Sequence, residues 1–226
     1  MGTLYIVATP IGNREDITFR ALRILKEVSV IACEDTRHSK KLLSLYDITT
    51  PLISYHQHSG TAREDKIGDV LFDGKDVALI TDAGTPTISD PGGKLVSRLV
   101  ERFGDELSVI AVPGPSAIIA ALSVSGFIAD AFVFYGFLPH KKGRKTALET
   151  IVSEERTIVL YESSHRILKL LTSLESLCDS GRKVVVCREI TKQFESVYRG
   201  TTATILEKVS GAPIKGEYVV IIEGDR

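Results

Sequence analysis

The apolar run Val77-Ala78-Leu79-Ile80 gives way to Thr81-Asp82-Ala83-Gly84-Thr85-Pro86-Thr87-Ile88-Ser89-Asp90-Pro91-Gly92-Gly93, and a helical spacing follows at Leu95, Val96, Leu99, Val100 and Phe103. A buried strand, a long polar loop and a helix in that order place the loop at the carboxyl end of the strand. In open α/β sheets, ligands settle in the crevice outside those strand ends. Glycine and proline there let backbone approach a ligand, while Asp, Ser and Thr offer polar contacts. The segment reads as a cofactor loop.

The same rhythm runs through the first half. Strand-like runs lie at Leu4 to Ala8, Val28 to Ala32, Leu52 to Tyr55, Val77 to Ile80 and Leu107 to Val112. Helical patterns alternate with them: one after a possible N-cap at Asp16, then Ser39 to Tyr46, Ala62 to Phe72 and Lys94 to Phe103. Strands separated by crossover helices predict a parallel sheet. Pro113-Gly114-Pro115 stops the fifth strand, so a first lobe is expected over 1–113 and a second over 114–226. The second lobe has a different pattern, with strands at Phe132 to Tyr135, Ile158 to Tyr161, Val184 to Cys187, Ser196 to Tyr198 and Tyr218 to Ile222. Arg188 to Arg199 is too short for a crossover helix, which predicts a mixed or antiparallel sheet there.

With 43% hydrophobic residues in 226, the chain has material for packed cores, and disorder is not expected. Lys and Arg total 28 against 29 Asp and Glu, a net charge of -1, so any contact with a polyanion has to be local. Cys33, Cys178 and Cys187 are odd in number and lack paired spacing, arguing against a disulfide framework or zinc site and for a reducing cytoplasm. The amino terminus enters a strand without a basic leader, and no apolar stretch reaches spanning length. A soluble, unprocessed cytoplasmic protein is expected.

Neither GxGxxG nor a P-loop occurs at a strand-to-helix junction, which weighs against an ordinary dinucleotide or nucleoside triphosphate site. Thr9-Pro10-Ile11-Gly12-Asn13 serves equally as a turn or a ligand loop. Glu34, Asp35, Arg37 and His38 lie just past the second strand, where a general base and an anion clamp would be useful; helix capping by Asp35 or Thr36 is the plainer alternative. His56 and His58 would share a strand face, yet no third ligand of matching spacing accompanies them, and no metal is expected. His140-Lys141-Lys142-Gly143-Arg144-Lys145 is the densest positive charge and reads either as a phosphate contact or as a solvated loop. Ionisable groups also follow strands at Glu162 to Arg166 and Arg188 to Lys192, so the two lobes are expected to present polar ends to a shared cleft.

These blocks together resemble the tetrapyrrole methylase superfamily (class III methyltransferases) and, within it, the ribosomal small-subunit methyltransferase I family. The resemblance rests on Leu4 to Asn13, Glu34 to His38, Asp82 to Pro86 with Ile88 to Gly92, and Pro113 to Ala117. It continues through Gly136 to Pro139, Tyr161 to Ser163, His165-Arg166, Arg188-Glu189, Thr191-Lys192 and Lys215 to Glu217. Arg14-Glu15 stand where the family pattern has Leu-Gly, and Ser164 where it has proline. Many relatives extend beyond the Lys215 to Glu217 block into a small helical tail associated with gripping RNA.

The resemblance implies a two-lobed α/β fold holding S-adenosylmethionine in the cleft, usually in a homodimer, and 2'-O-methylation of a cytidine ribose in 16S rRNA. Mapped by motif, the cofactor residues are Pro10, Asp82, Gly84, Thr85, Ile88, Ser116, Ala117 and Tyr161. Methyl transfer to a hydroxyl asks for alignment, a base and cations for developing charge. Glu34 or Asp35 is the candidate base, with Arg37 and Lys192 as the cations. Lys141, Lys142, Arg144 and Lys145 are the candidate RNA contacts. The competing readings are methylation of a precorrin-like tetrapyrrole, and a non-catalytic RNA-binding or ribosome-assembly module.

Overall fold

A computed structural model describes residues 1–57 and 59–225. His58, half of the histidine pair, lies outside the described residues. The chain divides into two compact units, Met1–Ser116 and Ala117–Arg226.

In the first unit, β1 (Thr3–Val7), β2 (Val30–Cys33), β3 (Leu52–Ser54), β4 (Val77–Leu79) and β5 (Ser108–Val112) form one sheet in the order β3-β2-β4-β1-β5. Every pairing is parallel. All strand carboxyl ends therefore share one edge, and the loops after β1, β2 and β4 are neighbours although far apart in sequence. The crossovers are α1 (Phe19–Glu27), α2 (Thr36–Ser44), α3 (Thr61–Phe72) and α4 (Gly92–Phe103). Alternate strand residues feed two cores. Leu4, Ala32, Val77 and Leu79 pack with Ile67, Leu71, Leu95 and Leu99, whereas Val7, Ile31, Cys33 and Ala78 pack with Ala21, Leu25 and Leu43. Each fully buried aliphatic side chain contributes about 1.5–3 kcal/mol.

Two helix starts differ from the sequence reading. The α1 cap is Thr18, whose hydroxyl accepts from the Ala21 N–H, while Arg14–Asp16 form a separate single 3-10 turn. Helix α2 begins before Ser39, at Thr36, because Asp35 accepts from the N–H groups of Arg37 and His38. A side-chain cap, rather than apolar periodicity, decides both starts.

The second unit contains α5 (Ala117–Ser125), β6 (Phe132–Phe137), α6 (Arg144–Val152), β7 (Thr157–Ser163), α7 (Ile167–Leu177), β8 (Lys183–Arg188), β9 (Ser196–Thr201), α8 (Thr202–Ser210) and β10 (Glu217–Ile222). Its strand order is β6-β7-β10-β8-β9. Only β6 and β7 are parallel; β10 runs antiparallel to β7 and β8, and β8 to β9. This arrangement is a mixed sheet. Its register brings the carboxyl ends of β7 and β8 beside the amino end of β10, so Tyr161 to Ser163, Arg188-Glu189 and Glu217 occupy one end. A core of Ile158, Leu160, Leu170, Leu174, Val184, Val186 and Val220 lies under α6, α7 and α8.

Candidate active site

At the carboxyl edge of the first sheet, the loop after β4 is tied to the loop after β1 by a two-residue antiparallel bridge. The Thr9 N–H donates to the Gly84 carbonyl at 2.9 Å, and the Gly84 N–H donates to the Thr9 carbonyl at 3.1 Å. Thr9 is fully buried, and its hydroxyl donates to the Thr81 carbonyl at 3.1 Å. Gly84 has φ of +85°, and an added Cβ would lie 3.3 Å from Ile11 Cγ2. The next residue, Thr85, donates from its hydroxyl to the Pro115 carbonyl at 3.0 Å. Pro10, Asp82, Gly84 and Thr85 are thus one fixed shelf, with Ser116 immediately after the carbonyl that Thr85 holds.

Beyond this shelf the backbone is strained. Thr87 and Ser89 adopt φ of +78° and +61°, unusual for residues with a Cβ. Ile88 between them is exposed, an apolar side chain turned out at a strand-end rim. The carboxylate of Asp90 accepts from the Gly92 N–H through Oδ1 at 2.6 Å, while its inaccessible Oδ2 has no hydrogen-bond partner. A shelf with exposed apolar surface and a close backbone approach suits a ligand that pairs polar groups with an apolar part.

The acidic segment after β2 separates into two environments. Asp35 is a helix cap, accepting from the Arg37 N–H at 2.8 Å and from the Arg37 guanidinium at 3.0 Å. Those hydrogen bonds from Arg37 hold its carboxyl at about 2. Arg37 itself is largely solvent-exposed. Glu34 behaves oppositely: partial burial pushes its pKa up, and the nearby negative charges of Asp82 and Asp90 push it further. The Asp35 N–H also reaches Asp82 Oδ1 at 3.4 Å, which ties the acidic segment to the shelf.

In the second unit, Tyr161 is half-buried at the end of β7, with its ring against Phe134 (4.9 Å between centroids) and Phe137 (5.5 Å). Burial raises its hydroxyl to about 12, so it stays protonated. The register shifts between Phe134 and Gly136, and Gly136 has φ of +62°. This bulge pairs Phe137 with Tyr161. Lys192 lies at the same end of the unit, and its Nζ donates to Glu189 and Glu217.

The basic segment is not uniform. Lys141, Lys142 and Lys145 are exposed, whereas Arg144 is buried at the start of α6. Arg144 stands 3.8 Å from the fully buried Glu162 carboxylate, beyond hydrogen-bond range. Glu162 also accepts from Arg166 Nε at 2.7 Å and from the Ser163 N–H at 2.8 Å. Arg166 in turn donates to the Leu138 carbonyl at 2.8 Å. Sequence reasoning grouped Arg144 with the lysines because charge density does not reveal burial. The Glu162 hub was missed as well; an arginine four residues on, at the residue that caps α7, was the available signal. Among the described residues, no group of three or more His, Cys, Asp and Glu side chains is arranged to hold a metal ion.

The model of the tetrapyrrole (corrin/porphyrin) methylases matches residues 3–206. A protein of Halalkalibacterium halodurans named ribosomal RNA small subunit methyltransferase I is 46% identical over 99% of this chain and 76% of its own length. Its namesake from Synechocystis is 47% identical over 99% of this chain and 80% of its own. The chain belongs to the ribosomal RNA small subunit methyltransferase I family. Solved structures share the tetrapyrrole methylase fold at lower identity. A cobalt precorrin-4 methyltransferase superposes with a TM-score of 0.71 at 19% identity, covering 98% of this chain and 94% of its own. A Thermus thermophilus uroporphyrin-III C-methyltransferase, solved with S-adenosyl homocysteine, gives 0.66 at 20% identity, covering 98% and 97%.

Proposed function

We propose that this family member transfers a methyl group from S-adenosylmethionine to the 2'-hydroxyl of a cytidine ribose in 16S rRNA, in the cytoplasm and as a homodimer. The chain is an S-adenosylmethionine-dependent methyltransferase of the rRNA small subunit family. Two relatives near 46% identity along the whole chain carry that reading, since they are named for an rRNA rather than a tetrapyrrole. This likeness weighs against the precorrin alternative, since the solved tetrapyrrole and cobalamin enzymes match at 14–20%.

The first-unit shelf fits the donor. Gly84 leaves room where a Cβ would crowd Ile11, so backbone at the strand end can approach a ligand closely. Pro10, Asp82, Gly84, Thr85, Ile88 and Ser116 would hold the donor. When bound, S-adenosylmethionine supplies an electrophilic methyl group on a sulfonium.

Glu34 is our choice for the base. A carboxylate in solution is too weakly basic to draw much proton from a hydroxyl, and a raised pKa brings it closer to the task. Asp35, held near 2 and serving as a cap, is a poor base. Its role is to place Glu34 at the strand end by starting α2 directly after it. Lys192, in the second unit, offers an ammonium hydrogen bond to a sugar hydroxyl of the RNA. Lys141, Lys142 and Lys145 serve as phosphate contacts, and buried Arg144 as the anchor of their loop.

The test is transfer of labelled methyl from S-adenosylmethionine to small subunits isolated from cells lacking this protein. Incorporation into 16S rRNA supports the proposal. Incorporation only into an added tetrapyrrole supports the precorrin reading, and donor binding without transfer supports a non-catalytic RNA-binding module.

A further inference from the structure

Lys192 is not a free cation. Its Nζ donates to Glu189 Oε1 at 2.9 Å and to Glu217 Oε2 at 2.7 Å. Burial alone would lower its pKa, but these carboxylates outweigh that effect and raise it, so the ammonium stays charged. The backbone is built around the same contacts. Glu189 Oε1 accepts from the Glu217 N–H at 2.9 Å, and the Glu189 N–H donates to the Glu217 carbonyl at 2.9 Å. Glu189 and Thr191 sit at φ of +52° and +66°. A Cβ at Gly216 would come within 2.6 Å of the Glu189 side chain.

An ammonium has three donors, and two are taken here. A phosphate oxygen approaching the third would meet two carboxylates already within 3 Å of Nζ, leaving this triad with net negative charge. A neutral hydroxyl suffers no such repulsion. It accepts from Nζ and donates to a carboxylate oxygen, and the Glu217 side chain is 81% exposed and therefore reachable. We propose that Glu189, Lys192 and Glu217 form a seat for sugar hydroxyls of the RNA substrate, with the two glutamates excluding phosphate from Lys192. The inference rests on the methyltransferase reading above and specifies the ligand class of one of its residues.

Counterion release separates the two chemistries, because only phosphate contacts contribute to the salt dependence of RNA affinity, by about 0.7 in log–log slope per contact on a single strand. Small subunits lacking the modification are titrated with wild type, Lys192→Ala, Lys192→Gln and Glu217→Gln across a range of salt, and kcat/KM is measured alongside. The expected result is at least a tenfold loss of kcat/KM in each variant with the wild-type salt slope retained. Glu217→Gln alters an exposed side chain and keeps the test open should the lysine variants fold poorly. A slope shallower by about 0.7 in the Lys192 variants would make Lys192 a phosphate ligand and overturn the inference alone. Unchanged kcat/KM in all three would overturn it too. Failure of the wild type to bind or methylate the subunits would remove the underlying reading with it.

Discussion

Replacing Gly84 with alanine perturbs the shelf at one atom. The glycine holds φ of +85°, and both its backbone groups are bonded to Thr9, whose side chain is buried and bonded in turn, so the turn cannot rotate away from the strain. A Cβ in a left-handed conformation costs about 1–2 kcal/mol. The new methyl would sit 3.3 Å from Ile11 Cγ2 and 3.7 Å from the Pro115 carbonyl, tight but without a severe clash, so the backbone term dominates. The expected loss for the first unit is therefore about 1–2 kcal/mol, a factor of roughly 5–30 in its ratio of folded to unfolded molecules. Donor affinity should fall as well. Gly60→Ala is the control: Gly60, the N-cap of α3, has φ of -72° and nothing within 4 Å of an added Cβ, so the change brings no strain and costs only the weaker capping of alanine, about 0.5 kcal/mol, with donor affinity unchanged. Hydrogen exchange under increasing urea reads the first unit's stability, and calorimetric titration reads donor affinity. Equal behaviour of the two variants in both assays would refute the argument that this loop needs glycine to approach a ligand.

Further outcomes follow from the same geometry. Glu34→Gln should abolish transfer with donor affinity retained, whereas Asp35→Asn should keep most of both; equal loss of transfer in the two variants would contradict the division of roles. In the wild type, kcat/KM should fall as pH drops through the raised pKa of Glu34, because protonation removes the base, so the acid limb should lie above the ordinary carboxylate range. A limb near 2 would instead indicate Asp35. Changing Lys141, Lys142 and Lys145 together to glutamine should make the salt slope of RNA affinity shallower by about 2, and an unchanged slope would make the loop a solvated surface. Arg182 is buried and donates to the carbonyls of Glu223 and Val152 at 2.6 and 2.7 Å, so Arg182→Met should destabilise the second unit by about 3 kcal/mol in denaturant unfolding.

Element types were legible because burial imposes periodicity. The continuous run Val77 to Ile80 marks a strand covered on both faces, and the short Arg188 to Arg199 interval excluded a crossover helix before β9. Helix starts were less legible, since Thr18 and Asp35 act through single side-chain hydrogen bonds that leave no repeat in the sequence. Within the site, strand-end position pointed to the loops after β1 and β4, while the choice of Pro10, Asp82, Gly84 and Thr85 within them came from the family resemblance. Local charge could not distinguish Glu34 from Asp35, because the difference lies in capping and in Asp82 and Asp90, which are distant in sequence. Nor could it separate buried Arg144 from its exposed neighbours, or show Lys192 clasped by Glu217 from another strand.

The proposed acceptor of the methyl group is a sugar oxygen. A methylated 2'-oxygen cannot attack the adjacent phosphodiester, so alkaline hydrolysis of rRNA labelled by this enzyme and S-adenosylmethionine reports the acceptor atom directly. Recovery of the label in an alkali-resistant dinucleotide with cytidine on its 5' side is the predicted result. Label released in a mononucleotide would place the methyl group on a base and contradict the account.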